Sequence, residues 1–342
     1  MSDAVARLRT ASEIQEIDAA DLTDFDNDVR GLGAPAVLRG LVKAWPLVAA
    51  ANDGDAAVVG YLSQRYNGQG ITGIIGDTVG NRRLFYNDDV TRFNFERVSG
   101  RLDSFLRQLL QENKQSEVFA MALQSTLIDE ILPTVAAENA LALLPGIRPR
   151  IWIGNRIEVA PHYDLKENIA CCAAGRRRFT LFPPDQLANL YPGPLELTPA
   201  GTPVSMVNPK NPDLARYPRF AEAWAAASQA TLEPGDALYI PFGWWHGVDS
   251  LEPISILVNY WWTAARTDDV GNGYDAMLHA LMSYRHLPPE QRGIWRSMLD
   301  FYVFEQAGDP VSHLPSHAKG VLGPPSAKLF AMMRATLKRA LG

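Results

Sequence analysis

The sequence predicts a mainly β protein, a sandwich or a barrel flanked in the chain by helices, and three observations lead to that prediction. From about residue 117 to 265, short apolar segments alternate with turns that contain glycine and proline. Before this stretch, strand-like and helical patterns are mixed. After about residue 266, the apolar residues recur with helical spacing. The 342 residues suffice for one large domain with an appendage, or for two domains.

The N-terminal part is predicted to add helices and short strands to the β region. Residues 13–66 carry helical pieces around a short apolar strand in "PAVLRGLVKAWP", and "DGDAAVVGYLSQRY" has helical spacing. Between residues 71 and 96 the pattern becomes strand-like in "GITGIIGD", "RRLFYND" and "RFNFERV". Residues 101–112 place their leucines on one side of a further helix. We therefore expect an α/β decoration before the main β region.

The β region itself contains five strand-rich segments. They are "EVFAMALQS", "PRIWIGN", "NIACCAAGRRRFTLFPP", "QATLEPGDALYIPFGWWHGVDS" and "ISILVNYWWTA". An insert at residues 185–230 is loop-rich and ends in a short helix. Cys171 and Cys172 are adjacent and would point to opposite faces of a strand, so the sequence excludes a disulfide framework and a CxxC motif.

The C-terminal region is predicted to be helical from residue 266 to 342. One apolar stripe runs along a first helix and a second along the next, and Ser326 is a candidate cap of a last helix. The stripes consist of Tyr274, Met277, Leu278, Leu281 and Met282, and of Ile294, Met298, Leu299, Tyr302 and Phe304. This wide apolar face could cover the β region or form the interface of a homodimer, and both alternatives stay open.

Composition and charge limit the class of protein. Apolar residues make up 47% and charged residues 20%, as in an ordinary globular chain. A formal net charge of −6 argues against a protein whose main partner is nucleic acid. The N-terminus lacks the apolar stretch of a secretory signal, and apolar runs such as "ISILVNYWW" are too short to span a bilayer. We therefore predict a cytoplasmic protein.

The segment "PHYD" holds a histidine and a carboxylate two residues apart in a strand-like region. Side chains at i and i+2 leave the same face of a strand, so His162 and Asp164 are predicted to lie side by side. They can be an exposed polar face, a general-base pair or part of a metal site. The polar run "DLKEN" that follows places the pair at the end of a strand, where barrel proteins usually carry their sites.

A second histidine follows a turn, a buried strand and a tight aromatic loop in "EPGDALYIPFGWWHGVDS". By itself, His246 could serve only to bind a backbone carbonyl in its crowded surroundings. Together, His162, Asp164 and His246 form the donor set of a non-haem iron facial triad, which leaves three metal positions open. Zinc remains an alternative, although structural zinc favours four protein ligands. A barrel that keeps such residues for packing is a further alternative.

Several longer motifs resemble the cupin-like JmjC hydroxylases, a group that includes the asparaginyl hydroxylase of hypoxia-inducible factor and bacterial cupin-like proteins. They are "PHYDLKEN", "GRRRFTLFPPDQLANLYPGP", "LEPGDALYIPFGWWHGVDSL" and "VNYWW". The resemblance implies a double-stranded β-helix, the jelly roll of cupins. It implies a catalytic domain at residues 1–265, with its core at about 117–265. From the apolar helical face we predict a helical dimerisation region at 266–342.

The resemblance also implies the cofactors and their ligands. Fe(II) would be bound by His162, Asp164 and His246, and 2-oxoglutarate would be the co-substrate of a dioxygenase that hydroxylates a C–H bond. Asn168 and Asn259 match the family's amides near the co-substrate.

Three positions depart from the family pattern. Arg177 stands where the family usually has a lysine for the distal carboxylate of 2-oxoglutarate, and an arginine can bind a carboxylate through two hydrogen bonds. Val159 replaces a common threonine, and Met121 or Ala122 stands near a common tyrosine. Altered co-substrate contacts, a different co-substrate and weakened turnover are all compatible with these changes.

The substrate is predicted only as a class, a protein side chain or a small molecule. Tyr86, Gln124 and Trp244, together with the insert at residues 185–230, are candidates to line its cleft. Two other functions stay open: a non-catalytic cupin-like module that binds metal and recruits partners, and RNA modification by the same chemistry.

Overall fold

The computed structural model describes residues 10–112, 118–263 and 271–341. The strands among these residues are β1 Ser12–Glu13, β2 Gln15–Asp18, β3 Ala36–Arg39, β4 Ile71–Gly76, β5 Arg83–Leu84, β6 Phe95–Gly100, β7 Met121–Leu127, β8 Arg150–Gly154, β9 Glu158–Tyr163, β10 Glu167–Ala174, β11 Arg177–Phe182, β12 Ser228–Leu232, β13 Ala237–Ile240, β14 Trp245–Ser250 and β15 Ser255–Trp262. The helices are α1 Phe25–Asp28, α2 Pro46–Asn52, α3 Asp55–Arg65, α4 Leu102–Glu112, α5 Ile128–Ile131, α6 Pro133–Glu138, α7 Phe220–Ala225, α8 Gly273–Tyr284, α9 Pro289–Tyr302 and α10 Ala327–Leu341.

Two sheets build the β region. One has six strands in the order β1-β12-β11-β14-β9-β5, and the other has nine in the order β2-β3-β13-β10-β15-β8-β7-β4-β6. From β8 onward the chain passes repeatedly from one sheet to the other, so that β12-β11-β14-β9 and β13-β10-β15-β8 form the two halves of a jelly roll. The prediction of a mainly β double-stranded β-helix with helices is confirmed.

The sheets enclose one apolar layer, and helices cover the outer face of the larger sheet. Between the sheets, Phe179, Leu181 and Val248 pack with Ala170, Cys172, Leu238 and Leu257. On the outer face, Cys171 and Ile169 join Leu62 of α3 and Leu106 of α4 in a separate cluster. The adjacent cysteines therefore face opposite sides of β10, as the alternation of a strand predicts.

The N-terminal strands differ from the prediction. The helical pieces expected within residues 13–66 begin only after two short strands, because β1 pairs in parallel with β12 and β2 in parallel with β3. Only Ile14 is buried in this stretch, so neither helical nor strand periodicity is visible in its sequence. Pairing with strands that are remote in the chain, rather than local pattern, defines these strands.

The described residues divide into two compact units, with the division between Thr263 and Ala264. The predicted boundary between residues 265 and 266 lies outside the described residues. In the second unit, the Ser326 hydroxyl accepts a hydrogen bond from the backbone N–H of Leu329 at 3.2 Å, as expected of a cap for α10. No residue of α8, α9 or α10 is buried. Among the described residues, no helix combines the length and the apolar character needed to cross a bilayer.

Candidate metal centre and the adjoining cavity

His162 and His246 lie directly opposite each other on the paired strands β9 and β14, with ring centroids 4.4 Å apart. Next along this ladder, Val159 pairs with Val248, so β9 contains one residue more than β14 between the two pairs. This is a β-bulge, and it turns both Val159 and His162 toward the interior. Gly247 lies opposite the bulge, where an added Cβ would come within 3.2 Å of the Pro161 ring. The bulge and this glycine therefore determine the direction in which the two imidazoles point.

Asp164 follows the end of β9 and completes the cluster. Its backbone carbonyl accepts a hydrogen bond from the N–H of Gly243, which ties it to the loop before β14. Its Oδ2 atom lies 3.6 Å from Nε2 of His246. One ligand atom from each of His162, Asp164 and His246 lies within 4.8 Å of the others. Two side chains from one strand end and one from the facing strand thus converge on a single point.

Backbone hydrogen bonds fix the orientation of both imidazoles. Nδ1 of His162 lies 3.0 Å from the carbonyl of Ala160, and Nδ1 of His246 lies 3.1 Å from the carbonyl of Trp244. A carbonyl can only accept, so each Nδ1 carries the proton and each Nε2 presents its lone pair. Burial, together with the adjacent His246, lowers the pKa of His162 to about 4. His162 is therefore a neutral imidazole near pH 7, the form that binds a metal ion.

The donor set fits a divalent transition metal. Two imidazole nitrogens and one carboxylate on one side of a point leave the other side open for exogenous ligands. The cluster is the only group of this kind among the residues that the structure describes. It can hold a metal ion.

A cavity extends from the metal cluster toward Arg177, which lies on β11 and faces inward with Phe179 and Leu181. Arg177 is 5% exposed, and its Nε donates a 2.7 Å hydrogen bond to the hydroxyl of Ser255 on β15. Within the described parts of the chain, no carboxylate forms an ion pair with it. Burial lowers the pKa of Arg177 to about 10, which still leaves the guanidinium charged near pH 7. A buried cation without a counter-charge is unfavourable, so this end of the cavity suits an anionic ligand.

Asn168 and Asn259 lie between the two ends on the opposite sheet. Nδ2 of Asn259 donates to Oδ1 of Asn168 at 2.9 Å, and both side chains are buried. Oδ1 of Asn259 and the indole nitrogens Nε1 of Trp152 and Trp261 are buried without a hydrogen-bond partner. All four residues line the cavity. Buried polar atoms normally have partners, so these unpaired atoms indicate space for a polar ligand.

Comparison with known proteins then gives the family. The family model described as "Cupin-like domain" matches residues 22–268, which is more than half of the chain. The chain belongs to the cupin-like domain family. This membership confirms the resemblance to cupin-like JmjC proteins that the sequence motifs indicate.

Several curated proteins are similar over part of their length. "Lysine-specific demethylase JMJ31" of Arabidopsis thaliana is 25% identical over 71% of this chain and 48% of its own length. "Jumonji C domain-containing protein 5" of Drosophila melanogaster is 29% identical over 75% and 62%, respectively. The human "tRNA wybutosine-synthesizing protein 5" is 30% identical over 44% of this chain and 49% of its own length. The cupin-like chain thus spans less than two thirds of each of these relatives.

The predicted substrate residues of the cupin-like chain lie in different places. Gln124 lines the cavity, but Tyr86 and Trp244 are not among its lining residues. The hydroxyl of Tyr86 donates a 2.7 Å hydrogen bond to the carbonyl of Leu197, which packs it against the insert instead. Trp244 ends the loop before β14 and contributes its carbonyl to His246.

Sequence reasoning missed Ser255 and Trp152 as site residues. Ser255 has the same strand parity as Asn259 on β15, and this parity was the signal that could have found it. Trp152 pairs with Leu257 across β8 and β15 and shares that inward face. Two residues that depart from the family pattern lie in or next to the cavity. Val159 lines the cavity, whereas Ala122 packs in an adjacent apolar cluster with Phe95.

The cavity is otherwise lined largely by apolar side chains. Its lining beyond the metal cluster includes Leu84, Phe95, Pro199, Ala200 and Val204. Asp164 is the only carboxylate among the described lining residues, and Arg177 the only arginine or lysine. The cavity therefore offers a cation at its inner end and no anion other than a metal ligand.

Proposed function

We propose that this cupin-like protein is an Fe(II)- and 2-oxoglutarate-dependent dioxygenase that hydroxylates a C–H bond of a protein side chain or a small molecule. One observation carries the proposal: a three-ligand cluster that suits iron shares its cavity with a buried arginine that lacks a carboxylate partner. Iron(II), 2-oxoglutarate and oxygen together supply the oxidant for an unactivated C–H bond, and the co-substrate becomes succinate and carbon dioxide.

The chain's own residues then have distinct tasks. His162, Asp164 and His246 would hold one face of the metal, and the carbonyls bonded to each Nδ1 would keep the imidazoles in place. Arg177 would bind the distal carboxylate of 2-oxoglutarate, and Asn168 with Asn259 would provide amide contacts nearer the metal.

The substrate proposed is neutral at the reacting group. A lysine side chain entering the cavity would find no carboxylate among the described lining residues except Asp164, which is engaged as a metal ligand. The largely apolar lining favours an uncharged side chain or molecule. Hydroxylation of a neutral C–H bond is therefore favoured over lysine demethylation, the activity in the name of the Arabidopsis relative.

An anaerobic titration tests the proposal. The apo-protein receives iron(II) and then 2-oxoglutarate, and the metal-to-ligand charge-transfer band of the chelated keto acid is recorded, with His162→Ala as the control. We expect a saturable band in the wild type and none in the variant. A wild type that binds iron but gives no band with 2-oxoglutarate would refute this co-substrate and favour a non-catalytic metal-binding module.

RNA modification is the alternative suggested by the tRNA wybutosine-synthesizing relative. A net charge of −6 does not favour an RNA substrate. Substrate-dependent succinate formation with a library of peptides, metabolites and RNA distinguishes these classes. Turnover with RNA alone would replace the substrate class proposed here.

We also propose that α8, α9 and α10 mediate a homodimer. Leu278, Met282 and Ile294 expose 59%, 68% and 58% of their surface, and such an apolar area is typical of a protein interface. A second copy can offer the same apolar face in an isologous contact. Sedimentation equilibrium should give a dimer for the wild type and a monomer for Ile294→Glu, with Gln291→Glu on the same helix as the matched control. A monomeric wild type would reject the dimer.

A further inference from the structure

The cavity contains a buried donor that the proposed function has not used. Nε1 of Trp152 has no hydrogen-bond partner, although indole N–H groups are normally paired when buried. Trp152 pairs with Leu257, which is the next inward residue after Ser255 on β15. Since Ser255 binds Arg177, Trp152 lies at the Arg177 end of the cavity. Trp261 pairs with Asn168 just after the metal-binding segment, and its ring centroid lies 6.0 Å from that of Trp152.

The described side chains around the Arg177 end include hydrogen-bond donors. They include no carboxylate that could accept from these donors. On the six-stranded sheet, the residues that follow Arg177 inward are Phe179 and, across the ladder, Val248 and Val159. None of these apolar side chains can accept a hydrogen bond from the indole or from the guanidinium. The Arg177 guanidinium and Nε1 of Trp152 are thus two donors of one cavity, and an anionic oxygen pair is complementary to both.

Ser255 determines which edge of the guanidinium is available. Its hydroxyl is fully buried and accepts a 2.7 Å hydrogen bond from Nε of Arg177. The terminal Nη1 and Nη2 groups form the remaining fork, which matches the two oxygens of a carboxylate. A lysine in this position would have no such fixed orientation.

We propose that Trp152 is a co-substrate-binding residue, and that Ser255 is the positioning residue for Arg177. The indole N–H of Trp152 donates to the same distal carboxylate that the Nη fork of Arg177 binds. This inference rests on the proposed function. It explains how the site can recognise a dicarboxylate although Val159 replaces the family's common threonine and Ala122 stands near the position of its common tyrosine. Selectivity for the distal carboxylate is thus the property that Trp152 and Ser255 control.

The experiment compares two keto acids that differ only at that end. 2-Oxopentanoate has the chelating group and the length of 2-oxoglutarate, but a methyl group replaces the distal carboxylate. Dissociation constants for both are measured from the charge-transfer band of the anaerobic iron(II) protein. Trp152→Phe removes the N–H and keeps an aromatic ring, and Ser255→Ala removes the hydroxyl. Trp262→Phe is the matched control, because Trp262 packs against Phe25 and Tyr239 outside the cavity.

We expect each of Trp152→Phe and Ser255→Ala to weaken 2-oxoglutarate by about 10-fold, since each loses a hydrogen bond in a charged group's network. Binding of 2-oxopentanoate should change by less than about 2-fold, because it has no distal carboxylate for these groups to bind. Trp262→Phe should leave both constants unchanged. Equal weakening of both keto acids, or of neither, would overturn the inference while the proposed function stands. A wild type that gives a band with neither keto acid would instead reject the proposed function.

A second measurement detects the new hydrogen bond directly in the wild type. In the diamagnetic zinc-loaded protein, the eight tryptophan indole N–H resonances are recorded by two-dimensional NMR. One indole resonance should move downfield with 2-oxoglutarate and not with 2-oxopentanoate, because a new hydrogen bond to a carboxylate deshields the proton. The same resonance should be absent in Trp152→Phe. If 2-oxoglutarate binds and no indole resonance responds selectively, Trp152 does not contact the carboxylate.

Discussion

The two ends of the cavity are built in different ways. At the metal end, His162 and Asp164 come from one short segment, and His246 comes from the strand paired with it. At the other end, Arg177 and Ser255 belong to opposite sheets, and their hydrogen bond joins residues 78 positions apart. A local motif with a strand register defines the first end, whereas the packing of two sheets defines the second. The metal end is therefore the more tolerant of changes elsewhere in the fold, and each end can be perturbed separately.

The largest expected effect is the loss of a metal ligand. His162→Ala should weaken iron(II) binding by more than about 100-fold. Loss of a residue that only supports a metal ligand typically costs up to that factor. The measurement is iron stoichiometry and affinity under anaerobic conditions. His279→Ala is the control, since His279 is an exposed histidine of α8. Unchanged iron affinity in His162→Ala would place the metal elsewhere.

Loss of the buried cation should separate the two ends. Arg177→Met keeps an unbranched side chain and removes the charge, so 2-oxoglutarate binding should weaken by about 30-fold or more. Iron(II) affinity should stay within about 2-fold, because no metal ligand is altered. The charge-transfer titration gives the first quantity and metal binding the second.

The neighbouring arginine provides the matched control for this prediction. Arg178 follows on the same strand and is exposed, so Arg178→Met should leave 2-oxoglutarate binding unchanged. Equal losses in both arginine variants would mean that general surface charge, rather than the buried guanidinium, attracts the co-substrate. A parallel loss of iron in Arg177→Met would show that the ends are not independent.

The hairpin between β10 and β11 leads into Arg177, and Gly175 is its critical residue. Gly175 has φ +65°, and an added Cβ would overlap the backbone carbonyl of Ile254, next to Ser255. Gly175→Ala should therefore lower the free energy of unfolding by about 2–4 kcal/mol, from left-handed strain plus a backbone clash. Chemical denaturation measures this change.

A second glycine separates strain from the clash. Gly201 has φ +85°, but an added Cβ there meets nothing within 4 Å, so Gly201→Ala should cost only about 1 kcal/mol. If both variants lose the same stability, contact with the Ile254 carbonyl is not the cause. In Gly175→Ala, the affinity for 2-oxoglutarate should fall by a larger factor than the affinity for iron, since the hairpin leads directly into Arg177.

The same contrast explains how much the sequence could predict. His162 and Asp164 are recognisable because i and i+2 share a strand face. The order of short strands predicts a sandwich or a barrel, and the resemblance to the family narrows this to a jelly roll. Tyr86 and Trp244 lie outside the cavity lining because one bonds to the insert at Leu197 and the other ends a loop. Trp152 needed the pairing of β8 with β15, which no local pattern contains. Functional groups that depend on contacts between sheets are the ones that sequence reasoning misses.

The smallest expected effect concerns the two cysteines, which report whether the sheets open near Arg177. Burial raises the pKa of the Cys172 thiol to about 12, and it raises the pKa of Cys171 as well. The thiolate is the reactive form, so at pH 8 both groups should be neutral and unreactive in the folded protein. A thiol-specific reagent should modify fewer than about one thiol in ten natively and both after denaturation. Cys172 lies between the sheets and donates to the Gly175 carbonyl at 3.0 Å. Rapid native labelling of Cys172, located by peptide mapping, would therefore mean that the Arg177 end opens spontaneously. Protection that is unchanged by 2-oxoglutarate would mean that this end is already formed before the co-substrate binds.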